Sequence, residues 1–156
     1  MRKATELLLP LLNRAKALGI WADYLLMDSW FAFPSILARL HELLPVICRA
    51  KDMPNVLYSF QGRELRLSGL YSALKKRPGR AKYLASAVVE SRGLTLKVVF
   101  ARHKEHKKQW VALLSTDTEL ADGDREAVRQ APGYRALLQD AQRHAESSAG
   151  DGEPGL

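Results

Sequence analysis

Between Asp23 and Ala50 the sequence carries one compact pattern that limits what the rest can become. Asp23-Tyr24-Leu25-Leu26-Met27-Asp28 is a short apolar run closed by a carboxylate. A run of this kind predicts a strand buried on both faces, as in a parallel sheet covered by helices. Ser29-Trp30-Phe31-Ala32-Phe33 supplies a turn, and Pro34 suits the first position of a new helix. Ile36, Leu37, Leu40 and Leu44 give that helix its apolar stripe, Pro45 ends it, and Val46-Ile47-Cys48-Arg49-Ala50 is a second short strand. Strand, helix and strand with tight connections predict a parallel pair joined by a right-handed crossover.

Upstream, Leu8, Leu11, Leu12, Ala15 and Leu18 recur on one helical face. The spacing predicts a helix from Lys3 to Leu18, stopped by Gly19 and kinked or split at Pro10. Met1-Arg2-Lys3 before Leu7-Leu8-Leu9 resembles a signal peptide, but Asn13, Arg14 and Lys16 follow at once without a small-residue cleavage site. No apolar run approaches the roughly 20 residues that span a bilayer. The single cysteine, Cys48, excludes an intramolecular disulfide framework and a thiolate zinc cluster, and fits a reducing cytoplasm. A chain of 156 residues suffices for one domain with a core.

The pattern changes after Lys51-Asp52-Met53-Pro54. Strands are predicted at Asn55–Phe60, Arg63–Leu67, Lys82–Glu90, Thr95–Arg102 and Gln109–Ser115, with turns at Gln61-Gly62 and Arg92-Gly93. A short helix over Ser68–Lys76 interrupts them and ends before Pro78-Gly79. Beyond Ala121 the pattern degrades: Glu126–Arg129 is a weak helix, Pro132-Gly133 breaks it, and Ser147–Gly155 is a polar, Gly-rich tail.

Charge is unevenly placed. The chain carries 24 Lys and Arg against 17 Asp and Glu, a net +7, which excludes an acidic self-repelling coil. Thirteen of the basic residues and three acids fall between Arg63 and Lys108, a local balance of +10, while the chain from Asp117 onward stands at −5. A positive middle beside a negative end fits a polyanion-binding surface, because neutralised phosphates release counterions; the alternative is a solvated basic face without a partner.

Asp28 is the leading candidate for chemistry. It closes an apolar strand at the carboxyl end, where open α/β sheets place ligands, and a carboxylate there suits Mg²⁺. The alternative role is a turn former or helix cap. Asp23, at the opposite end of the strand, is the poorer candidate, and Asp117 closes a second strand with a capping role, shared with Thr118, as its alternative. His103 and His106 sit among Lys104, Lys107 and Lys108 without metal-ligand spacing, and read as phosphate contacts or solvated side chains. Trp30 and Trp110 read as core or hinge aromatics, and Trp21 as packing beside the first helix.

Asp-Tyr-Leu-Leu-Met-Asp-Ser-Trp-Phe-Ala at 23–32 resembles the second-aspartate strand of DDE transposases of bacterial insertion sequences. Arg63–Lys82, with Leu70-Tyr71 and Lys75–Lys82, resembles the β-rich insertion of those enzymes, and Trp110–Asp122, with Leu114-Ser115-Thr116-Asp117-Thr118, the return to the catalytic core. The resemblance covers residues 10–128. It implies an α/β fold: a partial RNase H-like core of two strands with flanking helices, at 1–52, plus an antiparallel basic β-rich insertion at 53–109. The core's return strand and helix start would lie at 110–128, and a disordered or out-of-frame tail at 129–156. It further implies DNA as partner, a homo-oligomer or full-length transposase as a second, and a bacterial cytoplasmic, nucleoid-associated location with no membrane contact. The family's two aspartates and a glutamate hold two Mg²⁺ ions that activate water and then a DNA 3′-hydroxyl. Asp28 matches the second aspartate, as catalytic and metal-binding residue. DNA contacts would come from Arg63, Arg66, Lys75, Lys76, Arg77, Arg80, Lys82, Arg102, Lys104, Lys107 and Lys108.

Two departures bear on activity. The first aspartate would lie upstream of residue 1, and the signature Tyr-x-x-Arg-x-x-x-Glu is missing after residue 128, where the chain reads Val-Arg-Gln-Ala-Pro-Gly-Tyr-Arg-Ala-Leu-Leu-Gln. Read one base later, codons for Val128–Ala131 can spell Tyr-Gly-Lys-Arg, and those for Gly133–Gln139 can spell Asp-Ile-Glu-Leu-Phe-Phe-Lys. This points to a one-base frameshift near codons 121–127 and to a chain without transposase chemistry. With three core strands missing, exposed sheet edges and marginal stability are expected. Two other readings compete: a stand-alone basic nucleic-acid-binding module, and a metal-dependent nuclease that recruits Asp117 or Asp122.

Overall fold

A computed structural model describes residues 4–28, 33–106, 108–121, 127 and 129–143. The chain forms a mixed α/β structure in which one seven-stranded sheet carries helices on both faces. In chain order the elements are α1 (Ala4–Ala17), β1 (Leu25–Met27), α2 (Pro34–His41), β2 (Val46–Ala50), β3 (Tyr58–Phe60), β4 (Arg63–Leu65), α3 (Leu67–Ala73), β5 (Tyr83–Ser91), β6 (Leu94–Arg102), β7 (Trp110–Ser115) and α4 (Tyr134–Arg143). The strand order is β1-β2-β7-β6-β5-β3-β4.

The expected crossover is present: β1 and β2 pair in parallel, Leu25 opposite Val46 and Met27 opposite Cys48, with α2 between them in the chain. All other neighbours are antiparallel. Both short hairpins use two-residue turns in which each residue has positive φ, 49° and 76° at Gln61-Gly62 and 48° and 79° at Arg92-Gly93. Turns of that hand match the twist of the strands they join.

The sheet has two differently covered faces, set by strand alternation. Val46, Cys48 and Ala50 of β2, Val98 and Phe100 of β6, and Ala112 and Leu114 of β7 point to the face covered by α1, α2 and α3. Ile47, Val99, Ala101, Val111 and Leu113 point to the other, where Tyr134, Leu138 and Ala141 of α4 cover them. Trp110 joins the first core as expected, its ring 5.1 Å from Tyr71 and 5.2 Å from Phe100.

Several expectations are corrected. The β2 edge, expected to be open, is covered: β2 pairs with β7 and β7 with β6, so among the described residues β1 and β4 are the edges. Pro10 neither ends nor splits α1, which is continuous and closes at Gly19 (φ 81°) with the Ile20 N–H donating to the Ala15 carbonyl at 3.0 Å. Leu8, Leu9 and Leu12 of α1 pack on the core, whereas Leu7, Leu11 and Leu18 stay exposed. Trp21, expected to pack beside α1, is 81% exposed. Residues 134–143, expected within a disordered or out-of-frame tail, form a helix because its buried positions, 134, 138 and 141, fall on one face. No helix among the described residues is long and apolar enough to cross a membrane.

Candidate nucleic-acid interface

Asp28 directly follows β1, and the register that sets Met27 opposite Cys48 brings it beside Arg49 of β2. By alternation Arg49 points to the face covered by α4, where its side chain is 5% exposed. Its Nη1 lies 3.5 Å from Asp28 Oδ1 and 3.6 Å from Asp140 Oδ2 of α4. Both carboxylates are half-exposed, at 53% and 56%, and line a shallow cleft of about 360 Å³ with Met27 and Gly133. Asp28 thus faces an open cleft at the carboxyl end of β1. Arg49 and Asp140 were not singled out from the sequence: one is a charged residue inside an apolar strand, the other sits in a segment expected to lack structure.

The site does not fit a resident Mg²⁺ ion. The Arg49 guanidinium, within 3.6 Å of both carboxylates, already supplies a positive charge to each. Among the described residues no group of three His, Cys, Asp or Glu side chains is placed to hold a metal. Cys48, behind Asp28, adds no thiolate: burial, and then the Asp28 charge, push its thiol up to about 12.

Asp117 cannot join Asp28. The ladder between β2 and β7 puts Ile47 opposite Ser115, so Asp117 lies at the amino end of β1 and β2. The two carboxylates are separated by about four residues along the strands, roughly 13 Å, and by two strand spacings. Asp117 instead caps the turn after β7, its Oδ1 accepting from the Glu119 N–H at 3.0 Å, while its Oδ2 accepts a short hydrogen bond from the Tyr24 hydroxyl. Asp122, Trp30 and Lys107 lie outside the described residues.

The basic residues divide by place. Tyr83 pairs with Ala101 and Arg102 with Trp110, so the segment before β5 and the connection after β6 emerge at one end of the sheet. Lys75, Arg77, Arg80 and Lys82 are exposed on the first, and Lys104 and Lys108 on the second. Arg102 braces this end, its Nε donating to the Ala81 carbonyl at 3.3 Å and Nη2 to the Gly79 carbonyl at 3.1 Å. The Lys76 ammonium lies 4.3 Å from the centroid of the Tyr71 ring. The carboxyl ends of β1 and β2, and with them Asp28, point the same way. Arg63 stands apart on the outermost strand β4, opposite Phe60, and Arg66 pairs with Asp52 at 3.3 Å. Arg92 occupies the turn at the opposite end of β5 and β6.

His103 departs from its expected role. It is buried, and its Nδ1 accepts the backbone N–H groups of Glu105 and His106 at 3.0 and 2.9 Å. His106 remains exposed, its ring 4.9 Å from that of His103. No family model matches the chain, and no curated protein or solved structure matches it.

Proposed function

We propose that this chain is a nucleic-acid-binding relative of the DDE transposases of bacterial insertion sequences, built on a partial RNase H-like core and lacking their strand-cleavage chemistry. The reading is carried by one observation: Lys75, Arg77, Arg80, Lys82, Lys104 and Lys108 are exposed on two connections that leave the sheet at the same end. Cations held on braced loops at one end form a surface for a phosphate backbone. The resemblance of residues 23–32 to the second-aspartate strand, and the parallel β1–α2–β2 crossover that presents Asp28 at that end, support the ancestry. The Arg49 guanidinium between Asp28 and Asp140 favours binding without cleavage, the stand-alone module reading, over a nuclease that uses Asp117.

Under this reading the partner is DNA, with a second copy or a full-length transposase as an associated protein and the nucleoid as location. The frameshift near codons 121–127 belongs to the same reading. Sequencing the gene tests it, and a shifted frame that cannot spell the Tyr-Gly-Lys-Arg and Asp-Ile-Glu-Leu-Phe-Phe-Lys segments refutes it.

Fluorescence anisotropy with duplex DNA across a salt series tests the binding. About five phosphate contacts give a slope of log affinity on log salt between roughly −4 and −5. Absence of binding at low salt would refute the proposal. Mg²⁺-dependent nicking lost in Asp28→Ala would replace it with an active nuclease.

A further inference from the structure

The connection that carries Lys104 and Lys108 is organised by one imidazole. His103 follows β6, where the alternation that turns Val99 and Ala101 toward α4 gives position 103 the same face, and it is 2% exposed. Its Nδ1 accepts from the Glu105 N–H at 3.0 Å and the His106 N–H at 2.9 Å, while its own backbone N–H donates to the Gln109 carbonyl at 3.0 Å. This is the geometry of an Asx turn, with a ring nitrogen where an Asn or Asp oxygen would sit. Accepting there requires a lone pair on Nδ1, so the neutral ring carries its proton on Nε2. A proton added at Nδ1 would face two donors and break both bonds.

Among the described residues, the titratable and charged groups on the connection and on the segments beside it are Lys104, Glu105, His106 and Lys108 of the connection, Arg102 of β6, Lys82 before β5, and Arg135, Asp140 and Arg143 of α4, whose Gln142 donates to the Arg102 carbonyl at 2.9 Å.

Resting on the reading that this end of the sheet binds phosphates, we propose that His103 is a positioning residue for the interface. Neutral, it holds the 103–109 connection in the form that presents Lys104 and Lys108; protonated, it releases them.

Two measurements on the full chain test this. Amide hydrogen exchange by NMR needs no DNA: the Glu105 and His106 amides are protected at pH 7.5 and lose protection as the pH is lowered to 5.5. Anisotropy with duplex DNA reads the consequence: between pH 7.5 and 5.5 the salt slope becomes shallower by about 2, the share of two lysines. His103→Asn keeps an acceptor that does not titrate, so protection and slope stay constant across the same range. Protection that persists in the wild type to pH 5.5, or an Asn variant that follows the wild-type profile, overturns the proposal. Failure to bind DNA at pH 7.5 would refute the nucleic-acid reading itself, separately from the amide result.

Discussion

The Arg49 guanidinium stands 3.5 Å from the Asp28 carboxylate, buried on its own side of the pair and open to water on the other. The arginine draws β1, β2 and, through Asp140, α4 toward one point beneath the sheet. Its aliphatic stem packs where an apolar residue would otherwise stand, and its charged head reaches the cleft.

That asymmetry sets the outcome of substitution. Asp28→Asn removes a half-exposed charge and costs less than about 1 kcal/mol in urea unfolding. Arg49→Ala empties a buried volume and costs about 2–4 kcal/mol. Millimolar Mg²⁺ leaves the wild-type melting temperature unchanged. Stabilisation by the ion, abolished in Asp28→Asn, would show instead that the carboxylates accept a metal despite the guanidinium.

Under the proposed reading, position along the sheet separates the basic residues expected to contact DNA from the others. Arg77→Ala combined with Arg80→Ala makes the salt slope shallower by about 2. Arg92→Asn, which suits the positive φ of its turn, lies at the other end of β5 and β6 and leaves the slope as it was. Equal losses from both changes would mean that net charge alone drives binding.

Tyr71, Phe100 and Trp110 form a three-ring cluster that joins α3 to the middle of the sheet, with centroids 5.1 to 5.2 Å apart. Trp110→Ala costs about 3–5 kcal/mol in urea unfolding, from lost ring contacts and the cavity left behind. A loss below 1 kcal/mol would place the cluster outside the cooperative core.

The Tyr24 hydroxyl ties the segment before β1 to the end of β7 through Asp117. Burial first, then the hydrogen bond to Asp117, raise this phenol from 10.0 to about 12. The folded chain therefore holds the proton more tightly than the unfolded one. The stability it contributes is complete below pH 10 and is lost as the pH rises toward 12. Absorbance titration of the phenolates detects Tyr24 among the late-ionising tyrosines, with Tyr58, which burial also raises, and Tyr24→Phe removes one late component while costing about 1 kcal/mol at neutral pH.

Much of the fold was legible because its strands are short, apolar and punctuated by Gly or Pro. The expected strand at 95–102 differs from β6 by one residue, and that at 109–115 from β7 likewise. What the pattern could not convey was the order of strands: nothing in residues 46–50 announces that β2 pairs with β7, more than sixty positions later, and so covers an edge expected to be open. Helix α4 was missed although Tyr134, Leu137, Leu138 and Ala141 have helical spacing, because Pro132-Gly133 and the polar residues around them dominate the local signal. At the candidate site, Asp28 and the basic connections were legible from strand ends and charge. Arg49 was not, since periodicity records which face a residue takes and not which carboxylates wait there. His103 was misread for a related reason: its neighbours are lysines in sequence, but its hydrogen bonds are to backbone.

Strand β1 contributes three residues to the sheet and has a neighbour on one side, whereas β5 and β6 run side by side for nine residues each about a two-residue turn. Mechanical and thermal strain will therefore find the amino-terminal margin first. The hairpin will outlast it, so that the helix α1 and its adjoining strand can peel away and reseat while the rest of the lattice of hydrogen bonds remains shut.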